Sequence, residues 1–386
     1  MDLELSEEES ALQDNVRAVL AGVCPPAAVR AVYEGKGDVA SVWGPMVELD
    51  WPALAVPEDL GGIGLGFVEV AIVVEGLGRA VAPGPFLATV TQFLPALREL
   101  GAGGDVAPDL IRRVAAGEVT GTVALAESGR WEPGAVRSVA SEVAGGWALR
   151  GRKEAVLDGA DADAVVVVAR AAGTSGRDGL GAFVVPVAEL TTHPRRVLDP
   201  TLPLTDLELD GVVVPPERVL AAPGAAGVGD ALERATQEAT VALAIGTVGA
   251  CRAIFEQTVA YAKVREQYGR PIGSFQALKH RMADMYLAVE RAASLCWFAA
   301  LTIAEEDARR AEAASMAKAA AGECQRLLVK DGLQLHGGIG MTWENDLHFW
   351  LKRAIAGDAL YGNAAHHRAR LAQALGLVPQ APEEVA

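Results

Sequence analysis

The chain has 386 residues, 51% of them hydrophobic, enough for two or three domains with cores of their own. Lysine and arginine number 34 against 50 aspartates and glutamates, a formal charge of −16 that repels nucleic acid and anionic membranes and excludes both as expected partners. Cys24, Cys251, Cys296 and Cys324 lie far apart without paired spacing, so no metal site is expected and they read as buried thiols in a reducing compartment.

The amino terminus is acidic from Asp2, and no apolar run is judged to approach membrane-spanning length, which reads as a cytoplasmic protein without leader or anchor. From about residue 5 to residue 115 the pattern is helical. Ser6 with Glu9 predicts a capping box, with Leu12, Val16, Val19 and Leu20 at helical spacing behind it. A loop over residues 51–64 leads into a helix through Val68, Ala71, Ile72 and Glu75 to Gly78. The Gly62-x-Gly64-x-Gly66 run is not a dinucleotide fingerprint, because no strand precedes it and no acidic residue follows at the right remove.

From about Val119 the period changes to two. Thr120, Thr122 and Ala124 alternate, as do residues 147–151, and residues 164–168 form a continuous β-branched run; further strands are expected at 182–185 and 207–214. Short strands with frequent Gly, Asp and Pro turns predict a small β-barrel or sandwich, closed by the linker at residues 221–227. Helices then run nearly to the terminus, where residues 382–386 are expected to fray. The expected organisation is a helical domain over 1–118, a β domain over 119–222 and a helical bundle over 223–386.

Within the last domain Gly269, Pro271 and Gly273 interrupt the helical pattern, and Ser274 is placed to cap the next helix. From Leu278 the apolar residues fall at Met282, Met285, Val289, Ala292, Cys296, Ala299 and Ile303, one stripe facing a bundle. Core packing does not explain the polar residues at the ends of this stretch. Arg265 and Gln276 flank the loop, and Gln334 stands beside Gly337 and Gly338, whose bare backbone admits a ligand closely. A guanidinium, two amides and open backbone suit a phosphate-bearing cofactor.

The order Arg-x-x-Tyr-Gly-x-Pro-Ile-x-x-Phe-Gln from Arg265, then Ala283-Asp284-Met285, then Gln-x-His-Gly-Gly-Ile-Gly-Met-Thr from Gln334 closely resembles the carboxy-terminal domain of the acyl-CoA dehydrogenase family. Pro57-Glu58-x-x-Gly61-Gly62-x-Gly64, followed by Glu75-Gly76-Leu77-Gly78-Arg79, is similar to that family's amino-terminal domain. The resemblance covers roughly residues 5–375. It implies an α+β, three-domain fold: a helical domain, a central β-barrel or sandwich, and a four-helix bundle. It further implies FAD as cofactor, oxidation of the α,β bond of an acyl-CoA thioester in lipid metabolism, and an electron-transfer flavoprotein as electron acceptor. A dimer or tetramer with itself or a homologous subunit is also implied. Arg265, Tyr268, Gln276, Gln334, Gly337 and Gly338 are the implied cofactor contacts.

The catalytic base is where the chain departs. Most of the family places a Glu after a Tyr in Tyr-Glu-Gly-Thr, and here the segment is Tyr361-Gly362-Asn363-Ala364. A second branch places the Glu at the position of Ala239. Glu238 is adjacent but rotated by about 100 degrees along a helix, and His366 and His367 follow the empty position. No catalytic residue is assigned. Ala126, Ala155 and Leu157 stand where the family puts a hydroxyl, an aromatic ring and a Thr against its own flavin ring, while the carboxy-terminal set is retained. In the family's dimers the retained residues reach a neighbouring chain's flavin pyrophosphate. The pattern therefore implies the less catalytic half of a heteromeric dehydrogenase. Alternatives are a stand-alone homomeric dehydrogenase using an atypical base such as Glu238, a flavin monooxygenase on the same fold, or a non-catalytic scaffold.

Overall fold

A computed structural model describes residues 4–101 and 104–378; the fraying expected of residues 382–386 falls outside them. Helix α1 (Glu7–Val23) begins at Ser6, whose hydroxyl accepts the Glu9 N–H at 3.1 Å while the Glu9 carboxylate takes the Ser6 N–H at 2.6 Å. That reciprocal pair is the expected capping box. Then follow α2 (Pro26–Tyr33), α3 (Ala40–Glu48), α4 (Phe67–Ala80), the single turn α5 (Phe86–Ala88), α6 (Leu94–Leu100) and α7 (Val106–Ala115). Between α5 and α6 the helix widens into a π-helical turn, Thr89–Phe93, whose Gln92 is buried.

The middle of the chain is built of β1 (Gly121–Ala124), β2 (Val139–Val143), β3 (Gly146–Arg150), β4 (Arg152–Leu157), β5 (Ala164–Ala171), β6 (Leu180–Pro186), β7 (Thr191–Pro194), β8 (Leu204–Glu208), β9 (Val213–Val214) and β10 (Val219–Ala221). Seven of them form one sheet along the path β10-β6-β5-β2-β3-β9 with β1 beside β5, and β4-β8-β7 form a second. Side chains from both, among them Val165, Val167, Phe183, Val156 and Leu207, close a separate core. The alternation over 207–214 is two strands rather than one. β2, β4 and β7 escaped the sequence reading because polar or proline residues interrupt their patterns, and β10 because three residues are too few to show a period. β1 and β2 both pair with β5 in parallel, so the sheet is mixed.

The last third holds α8 (Val228–Val264), a hairpin of β11 (Glu266–Gln267) and β12 (Arg270–Pro271), α9 (Gln276–Ala304), α10 (Arg310–His336), α11 (Leu347–Ala359) and α12 (Ala364–Ala374). α8 to α11 form the bundle and α12 packs on α10. The predicted stripe of α9 is buried from Met285 through Ile303, with Leu278 and Met282 partly buried against the same core. Ser274 does not cap it: Ser274 ends a 3-10 turn, and Phe275, which has no side-chain acceptor, precedes the helix.

The expectation about apolar runs is also corrected. α8 and α9 are each long and apolar enough to cross a membrane, and 83% of the apolar window of α8 is buried by its neighbours. Its apolarity follows from its central position, where it is covered on nearly every side. α4 crosses α8 with backbone against backbone: a Cβ on Gly78 would meet the Gly246 carbonyl at 2.0 Å, and one on Gly249 the Glu75 carbonyl at 2.4 Å. Glycine at these two positions is what lets the amino-terminal domain seat on the bundle. All four cysteines are free and buried.

Candidate cofactor cleft and ring slot

At Arg265 the chain leaves α8 with extended backbone, and the Arg265 carbonyl accepts the Ile272 N–H at 2.7 Å, which closes the hairpin. α10 ends nearby at Gly337, in the left-handed φ range at 64°. The two ends face each other across a surface cleft of about 760 Å³ whose walls include Arg265, Gln334, Gly337 and Gly338. The structure thus brings together four of the six expected residues from positions about seventy residues apart in sequence. Among the described residues the side chains of Arg265 and Gln334 have no protein partner, so their donors are free for a ligand. A Cβ on Gly338 would meet nothing within 4 Å, so this chain's own packing gives no reason for glycine there.

Tyr268 and Gln276 are placed differently. Tyr268 sits at the hairpin tip, 94% exposed and edge-on to Phe275 at 6.1 Å, and does not line the cleft. Gln276 is exposed on the first turn of α9 with its amide 3.3 Å from His280 Nε2. The cleft adds residues the sequence reading passed over: Tyr261, His336 and Arg281. His336 stacks on Tyr261 with centroids 4.5 Å apart, and its Nδ1 donates to the Gly332 carbonyl at 2.8 Å. Burial holds its pKa below the usual imidazole value, so it faces the cleft neutral.

The second site lies between the β domain and the end of the bundle. Gln92, Ala126, Ala155, Leu157, Leu360 and Tyr361 enclose a slot of about 10 Å³, room for about one water. Tyr361 closes it. Its hydroxyl donates to Gln92 Oε1 at 3.0 Å, and its ring stacks on Trp131 at 6.2 Å and 28°. Ala239 packs in the same cluster as Tyr361, with Leu243 and Leu360, so both positions that supply the base elsewhere converge on this wall. Beyond it opens a cavity of about 350 Å³ lined by Glu132, Thr240, Gly362, Asn363 and His366. Trp131 and Tyr361 line both spaces and divide them.

The backbone of this wall is fixed from behind. Lys318, fully buried on α10, donates to the Gly362 carbonyl at 2.8 Å and the Asp358 carbonyl at 2.9 Å; burial pushes its ammonium down to about 8. His367 Nε2 donates to the Tyr361 carbonyl at 2.9 Å, and burial pushes that imidazole down to about 3. His366 is also lowered, by burial, despite Glu132 at 3.5 Å. His367 therefore stays neutral near pH 7. Glu238 is taken up elsewhere, buried and held by Arg98 and by Arg310 at 3.4 Å, against an apolar pocket that includes Phe67, Val90 and Leu94. Burial raises its pKa, with the two arginines opposing.

Fitted against FAD, the two sites give opposite answers. The cleft offers free donors and bare backbone suited to a diphosphate. The slot, with room for about one water, does not fit a three-ring flavin head.

Residues 6–105 match the acyl-CoA dehydrogenase N-terminal domain and residues 225–376 the acyl-CoA dehydrogenase C-terminal domain. The acyl-CoA dehydrogenase IpdE2 of Mycobacterium tuberculosis is 33% identical over 355 residues, covering 90% of this chain and 91% of that one. Acyl-CoA dehydrogenase FadE34 of the same organism is 32% identical over 362 residues, which is 91% of this chain but 45% of that one. Among solved structures, the ChsE4–ChsE5 complex from Mycobacterium tuberculosis superposes with a TM-score of 0.85 at 26% identity, covering 98% of this chain and 100% of that one.

Proposed function

Because this chain belongs to the acyl-CoA dehydrogenase family of flavin-dependent oxidoreductases, we propose that it works as the base-lacking half of a heteromeric acyl-CoA dehydrogenase. Flavin supplies a hydride acceptor for the substrate's β-carbon in such enzymes, and the protein must supply a carboxylate for the α-proton. Here that carboxylate comes from a homologous partner chain, and so does the ring pocket. This chain contributes its cleft. Arg265 donates charge-assisted hydrogen bonds to the diphosphate of the FAD that the partner holds, and Gln334, Gly337 and Gly338 complete the cradle. An electron-transfer flavoprotein is the proposed electron acceptor.

The observation that carries this reading is the contrast within one chain: an open cleft of about 760 Å³ with unpaired donors, and a ring slot of about 10 Å³ closed by Tyr361. Two further facts support it. Apolar side chains stand exposed at the cleft and beside it in sequence, Ile339 of its lining at 47% and Val264, next to Arg265, at 75%, as a surface covered by a partner would leave them. The match to FadE34 leaves more than half of that chain uncovered, room for a second unit of this size. Glu238 as a stand-alone base is disfavoured, because Arg98 and Arg310 hold it away from the wall at Tyr361.

The test is acyl-CoA-dependent bleaching of flavin absorbance with the chain purified alone and then co-purified with a Glu-bearing homologue. Bleaching is expected only in the complex. Rapid bleaching by the chain alone, abolished by Glu238→Gln, would replace this reading with the stand-alone one.

A further inference from the structure

We infer that Arg281 is a second guanidinium of the cleft, anchored by Asp331 and presenting its remaining donors to the diphosphate of a dinucleotide carried by the partner chain. The inference rests on the heteromer reading above. Arg281 stands on α9 and Asp331 on α10, with Nη1 3.5 Å from Oδ1. Asp331 is buried, and among the described residues no other side chain pairs with it, so Arg281 is its counterion. A guanidinium carries five N–H donors in a fixed fork, and one ion pair through Nη1 leaves most of them unspent.

The Arg281 side chain is about half exposed and lines the same cleft as Arg265 and Gly337. The cleft therefore sets two guanidiniums against one carboxylate, a positive lining on a chain whose formal charge is −16. That local reversal of sign favours a doubly charged anion over a neutral ligand. The plain alternative is an ion pair that merely ties α9 to α10. The same two helices already carry one outside the cleft, Arg291 with Glu323 at 2.9 Å. That pair serves as the internal control.

Two measurements test the assignment. In the flavin-loaded complex with the Glu-bearing homologue, Arg281→Gln is expected to lose flavin roughly ten- to a hundredfold faster and to flatten the salt dependence of that loss. Arg281→Lys should fall between, keeping the charge but not the fork, and Arg291→Gln should match the wild type. With the chain alone, ADP serves as the diphosphate probe, and Arg281→Gln should bind it about tenfold or more weakly. Equal behaviour of Arg281→Gln and the wild type in both measurements, or no ADP binding by the wild type, overturns the inference. Failure of any flavin-loaded complex to form, with ADP binding still dependent on Arg281, overturns the heteromer reading instead.

Discussion

At the scale of single residues, the cleft and the wall behave oppositely to substitution. Among the described residues the Arg265 side chain has no protein partner to strand, so Arg265→Ala should leave the chain's own stability nearly unchanged while weakening flavin retention in the complex by about 1.5–3 kcal/mol. Dissociation of flavin on dilution measures it. Gly362 is the reverse. Its φ is +89°, and an added Cβ would lie 2.5 Å from His366 Cδ2. Gly362→Glu should therefore cost about 1–3 kcal/mol in urea unfolding without producing acyl-CoA-dependent bleaching in the isolated chain. His367 gives a pH dependence with a definite sign. Burial lowers its folded pKa to about 3, from about 6.5 in the unfolded chain. Between those values the unfolded state binds the extra proton, so the stability is fully present above pH ~6.5 and is lost as pH falls toward ~3. The contribution is on the order of a few kcal/mol. His367→Gln, which keeps a donor for the Tyr361 carbonyl, should flatten the urea midpoint over that acid window.

At the scale of elements, the contact that seats the amino-terminal domain on the bundle is α4 on α8. Their backbones meet at Gly78 and Gly249, where a methyl group would reach a carbonyl oxygen well inside van der Waals distance. Gly249→Ala should destabilise by about 1–3 kcal/mol despite the better helix propensity of alanine, because the two helices must separate to admit it. A lowered thermal midpoint checks this, and a raised one would mean the crossing is looser than the structure shows. The same seating matters to the wall, since the π-helical turn that carries Gln92 packs on α8 and meets Tyr361 from α11's far end.

At the scale of the whole molecule, a chain with a filled ring slot and an open diphosphate cleft should purify alone with little flavin. Co-expression with a Glu-bearing homologue should raise the flavin absorbance to about one flavin per pair of chains. The exposed apolar side chains of Val264, Ile339, Met341 and Trp343 predict self-association of the isolated chain, relieved in the complex. Sedimentation of the two preparations distinguishes these states.

The order helical, β, helical was legible because it rests on local periodicity, and the capping box at Ser6 because its partners are three residues apart. Arg265, Gln334, Gly337 and Gly338 were legible as a set because their spacing forms a motif, and Gly362 and Ala239 because an expected carboxylate is missing there. Arg281, Lys318 and Trp131 were not: each is one charged or aromatic residue among many until folding gives it a neighbour. Tyr268 and Gln276 belong to the motif, yet only the folded chain shows them outside the cleft. The parallel pairing of β1 and β2 with β5, the burial that explains α8's apolarity, and the Tyr361–Gln92 closure all join residues distant in sequence. Periodicity carries information over a few residues, so it fixes which elements form. Which of them meet, and whether a pocket between them is open or filled, depends on the volume left after packing, and the tertiary structure alone decided that.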